Sequence, residues 1–363
     1  MRIRLVALIL LPIAAAALLL GADARRAGEA AGLLAELAGE PLVPALPERQ
    51  SICYTVAEHS YEADLYGLSG PFLVLLPGAA AAGKDDPRLI HMAAALAHAG
   101  WRVMVPDLSA QKALTLSSAD AQPIADAIRH VAGDGAKVAV AAISYGAVPA
   151  VLAALEPEVA AKVAVLVAVG PPFDAERVIG FFTTGFWRGA PEQPWRKLEP
   201  NAYGKWVFVQ NNAIRLTDSG DRALLAAIAR RKLADPSVPI DDLTLRLGPQ
   251  GRAVMELLDN GDPEWVSAMI RALPPGIAAE IERLDLARRD LRGFAPELMV
   301  IHGTDDRIIP VGEGEALAAA VPHGRLYRLD SLAHADLKAG SVTDALTLWR
   351  AVYRLLEWRD RMG

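Results

Sequence analysis

The run Val138-Ala139-Val140-Ala141-Ala142-Ile143-Ser144-Tyr145-Gly146, with a helix-like segment from Ala147 to Leu155 behind it, decides the fold. The apolar residues before Ala142 predict a buried strand. A serine then follows, with a small residue two positions before it and another two positions after. Strand, sharp turn and helix with a serine at the apex is the pattern of a nucleophile elbow. The turn holds the serine in a strained backbone conformation, at a cost of about 1–3 kcal/mol. A larger side chain on either flank would collide with neighbouring backbone. The hydroxyl is thereby exposed at a helix N-terminus, where backbone N–H groups favour developing negative charge. Serine is also a common helix N-cap, so the elbow needs partners elsewhere in the chain to carry chemistry.

Outward from the elbow, strand and helix signals alternate. Phe72 to Leu76 is fully apolar and ends in Pro77-Gly78; a helix pattern follows from Asp86 to Ala99, then a short apolar strand from Arg102 to Val105. A second helix pattern, Ala119 to Val131, leads into the elbow strand, and Val163 to Val169 is the next apolar run. The alternation stops at Gly170 and resumes near Leu298 with a strand, a helix, a strand and a last helix from Val342 to Trp358. Alternation means crossover connections and a mostly parallel sheet. Apolar runs without a period of two mean strands covered on both faces. Upstream, Ser51 to Val56 and Tyr61 to Tyr66 look like two further strands. The expected class is therefore α/β, a mostly parallel central sheet flanked by helices, with residues 51–170 and 296–363 as core and residues 171–295 as a largely helical insertion above it. Nine aromatic side chains fall between Phe173 and Phe208, in a chain with seven Phe, seven Trp and seven Tyr. They suit a lid with an aromatic wall, with Phe181, Phe182, Phe186 and Trp187 as candidate substrate contacts. They also suit the small core such an insertion needs for itself.

Bulk properties narrow the function. The chain has 363 residues, 53% of them hydrophobic, enough for one large core with an insertion. Its net charge of -6 argues against nucleic-acid binding, which needs a basic surface. Cys53 is the one cysteine, so no internal disulfide forms. No CxxC or HExxH motif is present, and neither metal nor cofactor is expected. Arg2 and Arg4 precede an uncharged stretch from Leu5 to Ala22, about 27 Å long as a helix. Residues 1–24 are expected to form a hydrophobic helix that anchors the chain in a membrane, or a signal peptide cleaved near Ala24. In both cases the globular part is exported. Residues 25–50 look like a short helix and a Pro-rich linker.

A serine hydroxyl is a weak nucleophile at neutral pH. It needs a base, and the base needs an orienting carboxylate. Two loops supply them at the C-terminal ends of late strands, where open parallel sheets place their sites. The first is His302-Gly303-Thr304-Asp305-Asp306, and the second is Leu332-Ala333-His334-Ala335. The chain order Ser, Asp, His is that of an elbow hydrolase. With Leu76-Pro77-Gly78-Ala79, these motifs resemble the α/β-hydrolase fold superfamily over residues 51–363 apart from the insertion. The resemblance implies Ser144 as nucleophile, His334 as general base and acid, and Asp306 as the orienting acid, with Asp305 its rival. It also implies an oxyanion hole from the backbone N–H groups of Tyr145 and Ala79, with Ala80 the rival donor. The chain departs from the superfamily pattern at the elbow, where Ala142 replaces the usual first glycine.

The expected activity is that of a serine carboxylesterase acting on a small-molecule ester with an apolar group. An acyltransferase would use the same residues with another acceptor hydroxyl. A membrane-tethered binding protein on a hydrolase scaffold is the non-enzymatic alternative. Dehalogenation is disfavoured because it requires a carboxylate at the elbow.

Overall fold

The computed structural model describes residues 23–39, 48–133, 135–189, 192–330, 332–333, 336–337 and 341–363, with backbone alone at 333, 336 and 337. The apolar stretch 5–22 lies outside them. Among the described residues no helix is long and apolar enough to cross a membrane.

Helix α1 (Ala24–Leu37) comes first, capped by Asp23, whose carboxylate accepts from Arg26 N–H at 2.9 Å. Strands β1 (Arg49–Val56) and β2 (His59–Tyr66) form an antiparallel hairpin. Its two-residue turn places Ala57 at φ 51, which lengthens both strands beyond the expected ranges. Such turns favour Asn-Gly or Asp-Gly, so Ala57-Glu58 gave no turn signal. Next come β3 (Phe72–Leu76), α2 (Pro87–His98), β4 (Arg102–Pro106), α3 (Ala121–Ala132), β5 (Val138–Ile143), α4 (Ala147–Ala154) and β6 (Val163–Val169). Residues between β6 and β9 are mainly helical: α5 (Ala175–Thr184), α6 (Tyr203–Ala213), α7 (Ser219–Ala234), α8 (Pro249–Asp259), α9 (Val266–Ala272) and α10 (Pro275–Leu284), with a small ribbon of β7 (Phe186–Trp187) and β8 (Arg196–Lys197). The chain then completes β9 (Glu297–Gly303), α11 (Val311–Ala320), β10 (Gly324–Leu329), the short pair β11 (Leu332–Ala333) and β12 (Asp336–Leu337), and α12 (Val342–Met362).

The main sheet has eight strands in the order β1-β2-β4-β3-β5-β6-β9-β10. From β4 to β10 all neighbours are parallel; β2 is antiparallel to both β1 and β4. From β3 the chain places β4 on one side and β5 on the other. The carboxyl ends of β3 and β5 are therefore a topological switch point, where open sheets of this kind leave a crevice. Leu76 pairs with Ala142 at that edge.

The unbroken apolar strands have a direct cause. Val74, Leu76, Val140, Ala142, Leu166 and Val300 point into one core with Ile128, Val151 and Leu317 of α3, α4 and α11. The alternating residues Leu73, Leu75, Ala139, Ala141, Val165 and Met299 point into a second core with Leu33, Leu96 and Leu355 of α1, α2 and α12. Both faces are dry, so neither set of positions tolerates polar side chains. Helices α5 to α10 close over a third core that contains Ile179, Phe182, Phe208, Leu225, Val254 and Ile277.

Candidate active site

Ser144 follows β5 directly and has φ 52, one of three non-glycine residues with positive φ among the described residues. Its side chain does not cap the helix that follows, and Gly146 occupies the N-cap position of α4. The N-cap alternative for this serine is thus not what the structure contains. The flanks explain the small residues. A Cβ on Gly146 would lie 2.3 Å from the Pro77 carbonyl oxygen, and one on Gly78 would lie 3.3 Å from Ser144 Cβ. Ala142 is completely buried, and its methyl fits where the usual residue is glycine.

Beside the elbow, the loop after β3 runs through Gly78 and four alanines, Ala79 to Ala82. No acceptor among the described residues takes the N–H of Ala79 or of Ala80. Tyr145, the residue after the serine, turns its ring away into a polar cluster. Its hydroxyl lies 3.1 Å from the Ser117 carbonyl oxygen and 3.2 Å from Asp120 Oδ2. Burial, with the Asp120 carboxylate adding to it, pushes the Tyr145 phenol well above its ordinary range. Burial likewise raises the Asp120 carboxyl, against the Ser117 N–H and the Tyr145 hydroxyl that favour its charge. At Glu280 of α10 burial also opposes ionisation, but Ser118 N–H at 2.6 Å and Arg283 at 2.8 Å prevail, and the carboxyl sits below its usual value.

The acidic turn follows β9. Asp306 is 1% exposed, and its Oδ1 accepts from Ile308 N–H at 2.8 Å and Ile309 N–H at 3.0 Å. His302, at the end of β9, is fully buried; its Nε2 is 2.9 Å from the Ile309 carbonyl oxygen and 3.5 Å from Asp306 Oδ2. It braces the turn from beneath. Asp305 is half-buried and faces the cavity described below. The segment entering the second predicted loop lies on this turn: Leu332 O would be 1.6 Å from a Cβ on Gly303. Thr304 N–H donates to the Leu329 carbonyl at 2.7 Å. His334 lies outside the described residues.

A cavity of about 780 Å³ opens above the switch point. Ser144, Tyr145 and Ala79 to Ala82 form its floor, and Asp305, Arg307, Ile308 and Ile309 one side. Its other walls include Phe173, Phe182, Tyr203, Val207, Phe208 and Ile281 from the helical insertion. The structure thus brings four of the predicted site residues, Ser144, Tyr145, Ala79 and Phe182, to one cavity, with the Asp306 turn beside it.

No protein-family model and no curated protein sequence matches the chain. Solved structures do. A Legionella pneumophila protein provisionally named a hydrolase is similar with a TM-score of 0.54 at 14% identity, over 91% of this chain and 94% of the other. The rice cell wall degrading esterase LipA of Xanthomonas oryzae is similar with a TM-score of 0.52 at 14% identity, over 91% of this chain and 95% of the other. The chain has the α/β-hydrolase fold.

Within the α/β-hydrolase fold the helices α5 to α10 sit where the insertion was expected. The four aromatic residues singled out there divide. Phe182 lines the cavity and also packs on Phe208, ring centroids 5.5 Å apart, so it serves wall and core together. Phe181 is fully buried and is not among the residues lining the cavity. Phe186 and Trp187 belong to the β7–β8 ribbon, where Lys197 and Arg196 stack over them at 5.2 and 5.1 Å, and they too are absent from the lining. Tyr203, Asn211 and Asn212 line it instead, together with Arg88 of α2. An aromatic cluster announces an apolar wall. Which ring faces inward depends on how each helix is rotated, and that rotation has no signal in an unaligned chain. Tyr203 belonged to the cluster without standing out.

Proposed function

We propose that this chain is a serine hydrolase that cleaves carboxylic esters bearing an apolar acyl or alcohol group. The single observation that carries the reading is Ser144 at φ 52 on the floor of a largely apolar cavity of about 780 Å³. That volume is within the range of small-molecule sites. The esterase and hydrolase names of the two similar structures agree with it. His334 takes the proton of Ser144 Oγ as the oxygen attacks the ester carbonyl. The tetrahedral oxyanion accepts hydrogen bonds from Tyr145 N–H and Ala79 N–H. His334 then protonates the departing alcohol, and an acyl-enzyme remains. Water, deprotonated by His334, attacks that acyl group, and collapse of the second tetrahedral species releases the acid and restores Ser144. Asp306 orients His334 and stabilises its charged form. The hydrogen bonds from Ile308 and Ile309 hold the carboxylate in one orientation, as this task requires.

Labelling by a fluorophosphonate probe tests the nucleophile. The wild type is expected to be labelled stoichiometrically at Ser144 and to hydrolyse p-nitrophenyl esters of graded acyl length. Ser144→Ala is expected to lose both. A folded wild type that takes up no probe and turns over none of the ester series would overturn the proposal.

A further inference from the structure

The loop that carries Ala79 has no polar side chain with which to fix its near end. Between Gly78 and Gly83 every side chain is a methyl group, Ala79-Ala80-Ala81-Ala82. Gly83, at φ 54, begins a 3₁₀ turn at its far end, and its N–H donates to the Ala80 carbonyl at 2.9 Å. An oxyanion donor must be aimed before the reaction begins, because the gain comes from dipoles already in place. Among the described residues the Ala79 peptide itself makes no hydrogen bond within the loop, so its aim must come from outside.

The insertion supplies it. Tyr203, the first residue of α6, donates its hydroxyl hydrogen bond to the Ala79 carbonyl at 2.7 Å. The same short segment is tied to the opposite rim: Asn201 N–H donates to the Arg307 carbonyl, within the Asp306 turn, at 2.7 Å. Asn201 Oδ1 in turn accepts from Tyr203 N–H at 2.9 Å. Asn201, Tyr203, Ala79 and Arg307 all line the cavity above Ser144. The segment 201–203 is thus a strap across the mouth, with one end on the acidic turn and the other on the alanine loop. Burial keeps the Tyr203 phenol above its ordinary range despite Arg88 nearby, so it remains a donor throughout the neutral range.

We propose that Tyr203 is a positioning residue for the oxyanion hole: its bond to the Ala79 carbonyl fixes the orientation of the alanine loop, so that the donor site is complete only with the helical insertion seated. This rests on the hydrolase reading above and assigns the insertion a part in the chemistry besides walling the cavity. Tyr203 touches neither the reacting carbonyl nor Ser144; it acts through the loop.

The test is Tyr203→Phe in the full chain, a change that removes one oxygen and leaves the ring. Hydrogen exchange followed by mass spectrometry reads the loop directly, and faster exchange is expected in the peptide covering 77–86 but not in the one covering 144–155. With p-nitrophenyl butyrate, kcat is expected to fall about tenfold, part of the 10²–10³ that loss of a whole donor costs, with KM within about twofold. Affinity for an alkyl boronic acid, which forms a tetrahedral anion on Ser144, is expected to fall with kcat. A general loosening would instead raise KM and lower the melting temperature. Unchanged exchange in the 77–86 peptide overturns the proposal whether or not the wild type hydrolyses esters. Faster exchange with wild-type kcat and boronate affinity overturns it as well. A wild type inert to the fluorophosphonate probe overturns the hydrolase reading instead, and the exchange result still decides what Tyr203 does to the loop.

Discussion

At the scale of single residues, the elbow shows how a local rule is broken for a site. A left-handed backbone costs a non-glycine residue about 1–2 kcal/mol. Ser144 carries that strain at φ 52 although it sits between well-packed elements. The position was legible because its neighbours had to be small for definite reasons: Gly146 lies against the Pro77 carbonyl, and Gly78 against Ser144 Cβ. Comparing two variants at this position isolates the strain. Ser144→Gly relieves it but adds about 0.5–1 kcal/mol of backbone entropy to the unfolded chain relative to alanine. Ser144→Ala keeps the strain. The relief is the larger effect, so Ser144→Gly is expected to be more stable than Ser144→Ala by roughly 0.5–1 kcal/mol. Urea unfolding followed by circular dichroism measures it. A glycine variant less stable than the alanine one would mean the backbone here is not strained.

At the scale of elements, the long apolar strands were readable and the short or externally held pieces were not. Val163–Val169 and Phe72–Leu76 came directly from their apolar runs, because burial on both faces leaves a continuous signal. The two-residue strands β7, β8, β11 and β12 are too short to show any period. Helix α1 was expected as a short helix before a linker, but its partner was invisible. Ala27 and Ala30 are alanines because α12 presses on them: Trp349 Nε1 donates to the Ala27 carbonyl at 3.1 Å, and Ala30 is fully buried. Around this contact Arg26 pairs with Asp360 at 2.8 Å and Arg359 with Glu29 at 2.6 Å. Alanine composition signals helix but does not say which helix will lie on it. A carboxylate at position 30 cannot stay in that contact. Ala30→Glu is expected to release α1, lower stability by about 2–3 kcal/mol, and speed tryptic cleavage at Arg25 and Arg26. Unchanged melting and cleavage would show that α1 contributes nothing to the fold.

At the scale of the whole molecule, acid is expected to silence the proposed ester hydrolysis well before it unfolds the protein. Burial opposes ionisation at Asp64, Asp126, Glu280, Glu297 and Asp360, yet hydrogen bonds and neighbouring cations hold all five below their ordinary values. A depressed folded-state value contributes stability that is present above the unfolded value, about 3.9 for Asp and 4.3 for Glu. It is lost as the pH falls through the folded value. Asp120, Asp285 and Glu313 run the other way. Their raised values favour the folded state below the unfolded value, and that contribution is gone once the pH rises past the folded one. They are fewer and blunt the acid transition without reversing it. Melting temperature is therefore expected to be nearly level from pH 6 to 8 and to drop only below about pH 4. The proposed activity answers to a different group. The base must be neutral to take the serine proton, and an ordinary histidine titrates near 6.5. Ester hydrolysis is therefore expected to fall about tenfold per pH unit below roughly pH 6 while circular dichroism still reports a folded protein. Parallel profiles of kcat/KM and ellipticity measure the separation. If activity and ellipticity disappear together near pH 4, the histidine-based mechanism fails, because acid would then be inactivating the protein by unfolding it.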